Sequence, residues 1–137
     1  KPVKSEVIAE HEMHTEYISV SRALIEELCH SPRRVVAVGT TSVRTLESLY
    51  YIALSLYRNP QATPEELRVE QWAPYLCNPE LSRAEAMQLL LDYLDRTGAD
   101  RLVSATRIII VPGYRFRMVD GIITNFHLLN IGCVGCH

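Results

Sequence analysis

Apolar and polar positions divide the chain into short runs of two kinds. Residues 35–38 (Val-Val-Ala-Val) are β-branched or small with no polar alternation, the pattern of a strand covered on both faces. Gly39 interrupts the run, and Thr40, Thr41 and Ser42 place hydroxyls where a helix is expected to begin. From Val43 the apolar residues Val43, Leu46, Leu49, Tyr50, Ala53 and Leu54 return every three or four positions, which predicts a helix from Ser42 to about Tyr57. Arg58-Asn59-Pro60 closes it.

Similar signals place the other elements. Residues 5–10 and 15–20 carry β-branched residues and are expected to be short and extended. Ser21 caps a helix to about His30 with Leu24, Ile25 and Leu28 on one face, and Ser31-Pro32 stops it. Thr63-Pro64-Glu65-Glu66 has the form of a capping box and opens a short helix over 64–70, followed by an irregular segment with Trp72 and two further prolines. Ser82 with Glu85 opens a helix with the stripe Ala86, Leu89, Leu90, Tyr93 and Leu94, ended by Thr97-Gly98. Residues 106–111 read as a strand closed by Pro112-Gly113, residues 114–119 as a half-exposed strand, Asp120-Gly121 as a hairpin turn and residues 122–127 as a last strand. The sum is one α/β domain over 1–137, with a mainly parallel sheet, flanking helices and a helical insertion over about 58–100.

Composition narrows the class of partner. The 137 residues carry a formal net charge of −2, so the chain as a whole has no attraction for nucleic acid or an anionic membrane. No apolar run approaches the ~20 residues of a membrane span. Cys29, Cys77, Cys133 and Cys136 are scattered in a chain large enough to build a core, which argues for a reducing, cytoplasmic setting over a disulfide scaffold. Lys1-Pro2-Val3-Lys4 resembles neither a signal peptide nor the start of a domain, and reads as a chain entered midway.

Three groups of residues could carry chemistry. The strand–glycine–helix turn at 38–44 collects backbone N–H groups and the positive end of a helix dipole, and Arg44 adds a cation in the first turn. An anion or carboxylate is its natural guest, although such turns also occur without one. His11 and His14 stand near Glu12 and Glu16; on an extended segment His14 and Glu16 share a face, which suits a histidine oriented by a carboxylate. A metal site and a plain polar surface remain open for that group. Asn125 and His127 end the last strand, and ligands of open α/β sheets gather at the carboxyl ends of strands, so this end and Gly39-Thr40 are expected to line one crevice. Cys133-Val134-Gly135-Cys136-His137 spells a haem-attachment pattern, but no second axial-ligand segment or second Cys pair supports haem or zinc, and it reads as an accidental tail.

Four blocks together resemble the S-adenosylmethionine:tRNA ribosyltransferase-isomerase family of queuosine biosynthesis. They are Pro2-Val3 leading to His11-Glu12-Met13-His14-Thr15-Glu16-Tyr17, then residues 38–48, residues 106–114 and residues 119–128. The resemblance implies a piece of a larger two-domain enzyme that lacks an N-terminal portion, and whose end departs from the family after Leu128. It implies transfer and isomerisation of the ribosyl group of S-adenosylmethionine onto 7-aminomethyl-7-deazaguanine in the tRNA anticodon loop, giving epoxyqueuosine. It calls for no metal or prosthetic group, S-adenosylmethionine being a co-substrate, and for no membrane. On that reading His14, Glu16 and His127 are the catalytic candidates. His11, Thr40, Thr41, Ser42, Arg44, Asp120 and Asn125 are candidates for substrate binding. The alternative is a folded, catalytically silent piece that binds ligand or RNA without turnover.

Overall fold

The computed structural model describes residues 15–31, 33–124 and 127–129, and of residues 124 and 127–129 the backbone alone. The extended segment expected over 5–10 and the Cys133–His137 motif lie outside the described residues. In chain order come strand β1 (Glu16–Ser21), helix α1 (Arg22–His30), β2 (Val36–Val38), α2 (Thr40–Arg58), α3 (Arg83–Thr97), β3 (Arg101–Thr106), β4 (Gly121–Thr124) and β5 (His127–Leu129). Two short 3-10 turns, Pro64–Leu67 and Ala73–Tyr75, fall between α2 and α3.

Helix α2 is the centre of the molecule. Every residue from Glu47 to Leu54 is buried, so the middle of the helix is covered on all sides, and α3 packs along it. A helix enclosed in this way is fixed by its neighbours more than by propensity. Leu49, Ile52 and Leu54, each essentially inaccessible, stabilise the fold by about 1.5–3 kcal/mol apiece. The local signals at the other helices hold. Ser21 Oγ accepts the Leu24 N–H at 3.1 Å to cap α1. Ser82 and Glu85 exchange both capping-box bonds at α3, which ends at Gly98 in the left-handed region (φ 71°).

The sheet departs from expectation. A mainly parallel sheet is not what the described residues form: they hold two small sheets with one parallel ladder and two antiparallel ones. β1 runs antiparallel to β3, from Glu16 opposite Thr106 to Ser21 opposite Arg101. In the second sheet, ordered β2-β4-β5, β2 is parallel to β4 and β4 antiparallel to β5. The strand expected over 106–111 is displaced to 101–106, where Leu102, Ser104 and Thr106 alternate inward. Two of those inward residues are polar, which disguised the strand. Thr106 Oγ1 is satisfied by Ser48 Oγ at 2.7 Å, and Ser104 Oγ by the Leu67 carbonyl.

Residues 108–111 are apolar because they are covered, not because they pair as a regular strand. The Ile109 N–H donates to the Gln71 carbonyl at 3.2 Å, and Tyr75 Oη donates to the Ile109 carbonyl. Val69 lies parallel to Thr106 as an isolated bridge, so the segment between the helices runs along the exit of β3. Residues 114–119 form no strand either. Asp120-Gly121 is not a hairpin turn: both N–H groups donate to the Val35 carbonyl, at 2.7 and 3.2 Å, and lead the chain into β4 alongside β2. Among the described residues no helix is long and apolar enough to cross a membrane.

The hydroxyl cap expected on α2 is also absent. Gly39 occupies the N-cap with φ 86° and ψ 159°, and no side chain caps the helix. That region is open essentially to glycine alone, while a Cβ placed at Gly39 would meet nothing within 4 Å. The cost of replacing it is therefore backbone strain without crowding. Gly39→Ala is expected to lower unfolding free energy by about 1–3 kcal/mol in urea titration, with an unchanged slope; a neutral result would show that the turn relaxes.

Candidate functional site

The parallel pairing of β2 and β4 decides where the polar residues meet. Val38 lies opposite Ile123, and the Gly39 N–H donates to the Ile123 carbonyl at 3.0 Å. Both strands thus end at the first turn of α2, where Thr40 and Thr41 are exposed and Ser42 is half-buried. The backbone of His127 pairs with Thr124 across the β4–β5 ladder, which sets it at the same end of the sheet. The first amides of a 19-residue helix are directed toward this end, and among the described residues no side chain caps them.

Arg44 does not project beside those amides as expected. Its Nη1 pairs with Glu16 Oε1 at 2.7 Å, and its Nε and Nη2 donate to the Ile108 carbonyl at 3.3 and 3.0 Å. The guanidinium fork ties the start of β1 to the exit of β3 and to α2. Glu16 is 42% exposed on its side chain, so the pair itself is worth only about 0–1 kcal/mol. What it does is hold Glu16 in one place. Thr40, Thr41, Ser42 and the His127 backbone therefore lie around one end of the parallel pair, and Glu16 is linked to the second turn of α2 through Arg44.

Asp120 is not among them. It precedes β4, at the opposite end of the parallel pair, about 10 Å away along the strands at their usual rise. One carboxylate oxygen accepts the Val35 N–H at 2.8 Å and faces Arg83 Nη1 at 3.4 Å. Arg83 also donates to the Met118 and Arg33 carbonyls. Asp120 splices β2 to β4, apart from the other described candidates for substrate binding. His11, His14 and Asn125 lie outside the described residues. Among the described residues no three His, Cys, Asp or Glu side chains gather to hold a metal ion.

A residue the sequence reading passed over is Glu47. Its side chain is fully buried, and its two oxygens accept from three successive backbone N–H groups: Arg117 at 2.9 Å, Met118 at 2.9 Å and Val119 at 3.0 Å. Tyr114 Oη supplies a fourth, short hydrogen bond, and Tyr51 Oη stands 3.1 Å from Tyr114 Oη. Burial pushes the Glu47 carboxyl up, and the four hydrogen bonds oppose it. Burial likewise raises the Tyr51 phenol to about 12. The signal was present: Glu47 follows Val43 by four and precedes Tyr50 by three, on the apolar stripe of α2.

These residues fall within a stretch that matches a known family. A family model described as "Queuosine biosynthesis protein" matches residues 1–130. The chain belongs to that family. Curated relatives named "S-adenosylmethionine:tRNA ribosyltransferase-isomerase" include one from Prochlorococcus marinus (strain MIT 9515), 31% identical over 131 residues, covering 93% of this chain and 24% of the relative. Others come from Burkholderia vietnamiensis (strain G4 / LMG 22486), 33% identical, and Burkholderia mallei (strain SAVP1), 35% identical; each alignment covers 93% of this chain and 26% of the relative. The chain thus spans about a quarter of the length of the curated relatives it matches. No solved structure is a significant match.

In this member of the family Glu47 and Glu80 make separate predictions. Glu47→Gln turns an acceptor into an NH2 group facing N–H donors, and is expected to lower unfolding free energy by about 2–3 kcal/mol; a change under about 0.5 kcal/mol would contradict the tether. Glu80 bridges Arg117 at 2.8 Å and Arg115 at 3.0 Å, and the Arg117 guanidinium holds its carboxyl below the usual carboxylate range. Its contribution is present above its unfolded pKa and lost as pH falls through the lowered folded value. Thermal melts between about pH 5 and pH 3 are expected to fall less steeply for Glu80→Gln than for the parent chain. Parallel curves would show that the bridge adds nothing.

Proposed function

We propose that this chain supplies the donor-binding core of a cytoplasmic S-adenosylmethionine-dependent tRNA ribosyltransferase-isomerase. The reaction moves and isomerises the ribosyl group of S-adenosylmethionine onto 7-aminomethyl-7-deazaguanine in the tRNA anticodon loop. Epoxyqueuosine forms, and adenine and methionine leave. The observation that carries the reading is the meeting of the β2 and β4 carboxyl ends with the uncapped first turn of α2, with Glu16 tied to the next turn through Arg44. A carboxylate is the guest that such a turn holds best, and the methionine portion of the donor carries one.

The chemistry asks for few groups. The sulfonium acidifies the adjacent 5′ carbon, so one base must take that proton and one donor must assist departure of adenine. His14 and His127 are the proposed proton carriers, with Glu16, held by Arg44, as the carboxylate that orients His14. Thr40, Thr41 and Ser42 are proposed to bind the methionine carboxylate or a tRNA phosphate through their amides and hydroxyls. His11 and Asn125 are proposed to contact the nucleoside. Arg44 becomes a positioning residue, since its fork is taken by Glu16 and Ile108. No metal or prosthetic group enters the scheme.

Calorimetric titration with S-adenosylmethionine tests this reading. Thr40 is the first residue of α2, a position where proline is tolerated and where it deletes one N–H and one hydroxyl. Binding by the parent chain that weakens about tenfold in Thr40→Pro, with the unfolding transition retained, is the expected result. No binding by a chain that unfolds cooperatively would leave the silent, folded piece as the better reading.

A further inference from the structure

The outward face of the β1–β3 sheet carries the most exposed aromatic ring among the described residues. Its inward residues, Ile18, Val20 and Leu102, are in the core, while Tyr17 and Val103 point out at 80% and 61% exposure. The register puts Tyr17 opposite Ala105 and Ser19 opposite Val103. Arg101 folds its guanidinium along this face, donating from Nε to Ser19 Oγ at 2.8 Å and from Nη2 to the Ser19 carbonyl at 3.2 Å. Both acceptors are neutral, and among the described residues no carboxylate pairs with Arg101. An open cleft of about 350 Å3, lined by Thr15, Tyr17, Glu65, Arg68 and Val103 among others, continues the face beyond Tyr17.

We propose that this face is a stacking platform for single-stranded RNA, with a base laid on Tyr17 and a phosphate held by Arg101. The proposal rests on the reading above and deepens it by saying where this chain holds the RNA. Three observations favour RNA as the occupant. A large aromatic ring stands almost fully in solvent on a sheet surface, the arrangement by which flat sheets stack unpaired bases. A guanidinium with only neutral acceptors reaches across from β3 to Ser19, two residues along β1 from Tyr17, where a stacked nucleotide's phosphate would lie. The face is also linked to the helix that carries the candidate site, because Tyr17 follows Glu16, whose carboxylate is tied to Arg44 in the second turn of α2. RNA bound here would present neighbouring nucleotides to that helix.

Fluorescence anisotropy with a labelled anticodon stem–loop RNA, and with single-stranded oligouridylate, tests the platform on the full chain. Tyr17→Ala is expected to weaken binding of both probes at least fivefold, with Tyr17→Phe close to the parent. Arg101→Gln is expected to lower the salt dependence of binding by about one phosphate contact. Melting temperatures and S-adenosylmethionine titrations should match the parent chain for all three, since neither side chain is buried or at the turn. RNA affinity indifferent to Tyr17→Ala and Arg101→Gln, or no RNA binding by the parent chain, would overturn the platform while leaving the donor-site reading intact if S-adenosylmethionine still binds. A fall of several degrees in melting temperature on Tyr17→Ala with RNA binding unchanged would show that the face is covered by protein. Loss of S-adenosylmethionine binding in the parent chain alone would count against the donor site and not against the platform.

Discussion

A buried carboxylate receiving three consecutive backbone amides is the contact on which the rest of the structure depends. Residues 107–120 cross the molecule without regular secondary structure, so their polar backbone groups need partners outside a ladder. Glu47 provides them from the middle of the most enclosed helix. The same contact fixes the direction in which the chain enters β4. With Arg117, Met118 and Val119 bound to α2, the next residues reach Val35, and β4 is laid parallel to β2. A buried charge without its donors would be strongly destabilising; with four of them it sets the path of the segment.

From that path the candidate site follows. Parallel pairing brings the carboxyl ends of β2 and β4 to one place, and α2 starts there because Gly39 can adopt a conformation that other residues resist. Arg44 then draws the first residue of β1 and the exit of β3 to the same helix. Asp120, Arg83 and the Val35 amide do equivalent work at the other end of the strands. Two polar clusters, one at each end of the parallel pair, hold the sheet against the helices. The one at the α2 terminus has no side-chain cap among the described residues.

What could be read from the sequence was what depends on neighbours in sequence. Ser82, Glu85 and Gly98 specify α3 through bonds that span three residues or a single backbone angle, and the structure has them in place. The Val43-to-Leu54 stripe likewise announced α2. The failures lie where a distant partner decides. Arg44 looked like a ligand cation because nothing local accounts for it, and its acceptor, the Ile108 carbonyl, is 64 residues away. Asp120-Gly121 has the composition of a hairpin turn, but an amide at Val35 captures the carboxylate first. β3 was displaced in the reading because its inward face carries Ser104 and Thr106, whose hydroxyls are satisfied by other elements. Glu47 alone was within reach, as an acidic residue on an apolar stripe.

The most direct test of this account is amide hydrogen exchange at Arg117, Met118 and Val119. If Glu47 fastens this segment, the three amides will exchange slowly, together with the core amides of α2, although they belong to no helix or strand, and Glu47→Gln will release all three before α2 itself opens. Exchange in the parent chain as fast as at exposed turns would mean that the segment is not held by Glu47, and that some other contact aligns β4 with β2.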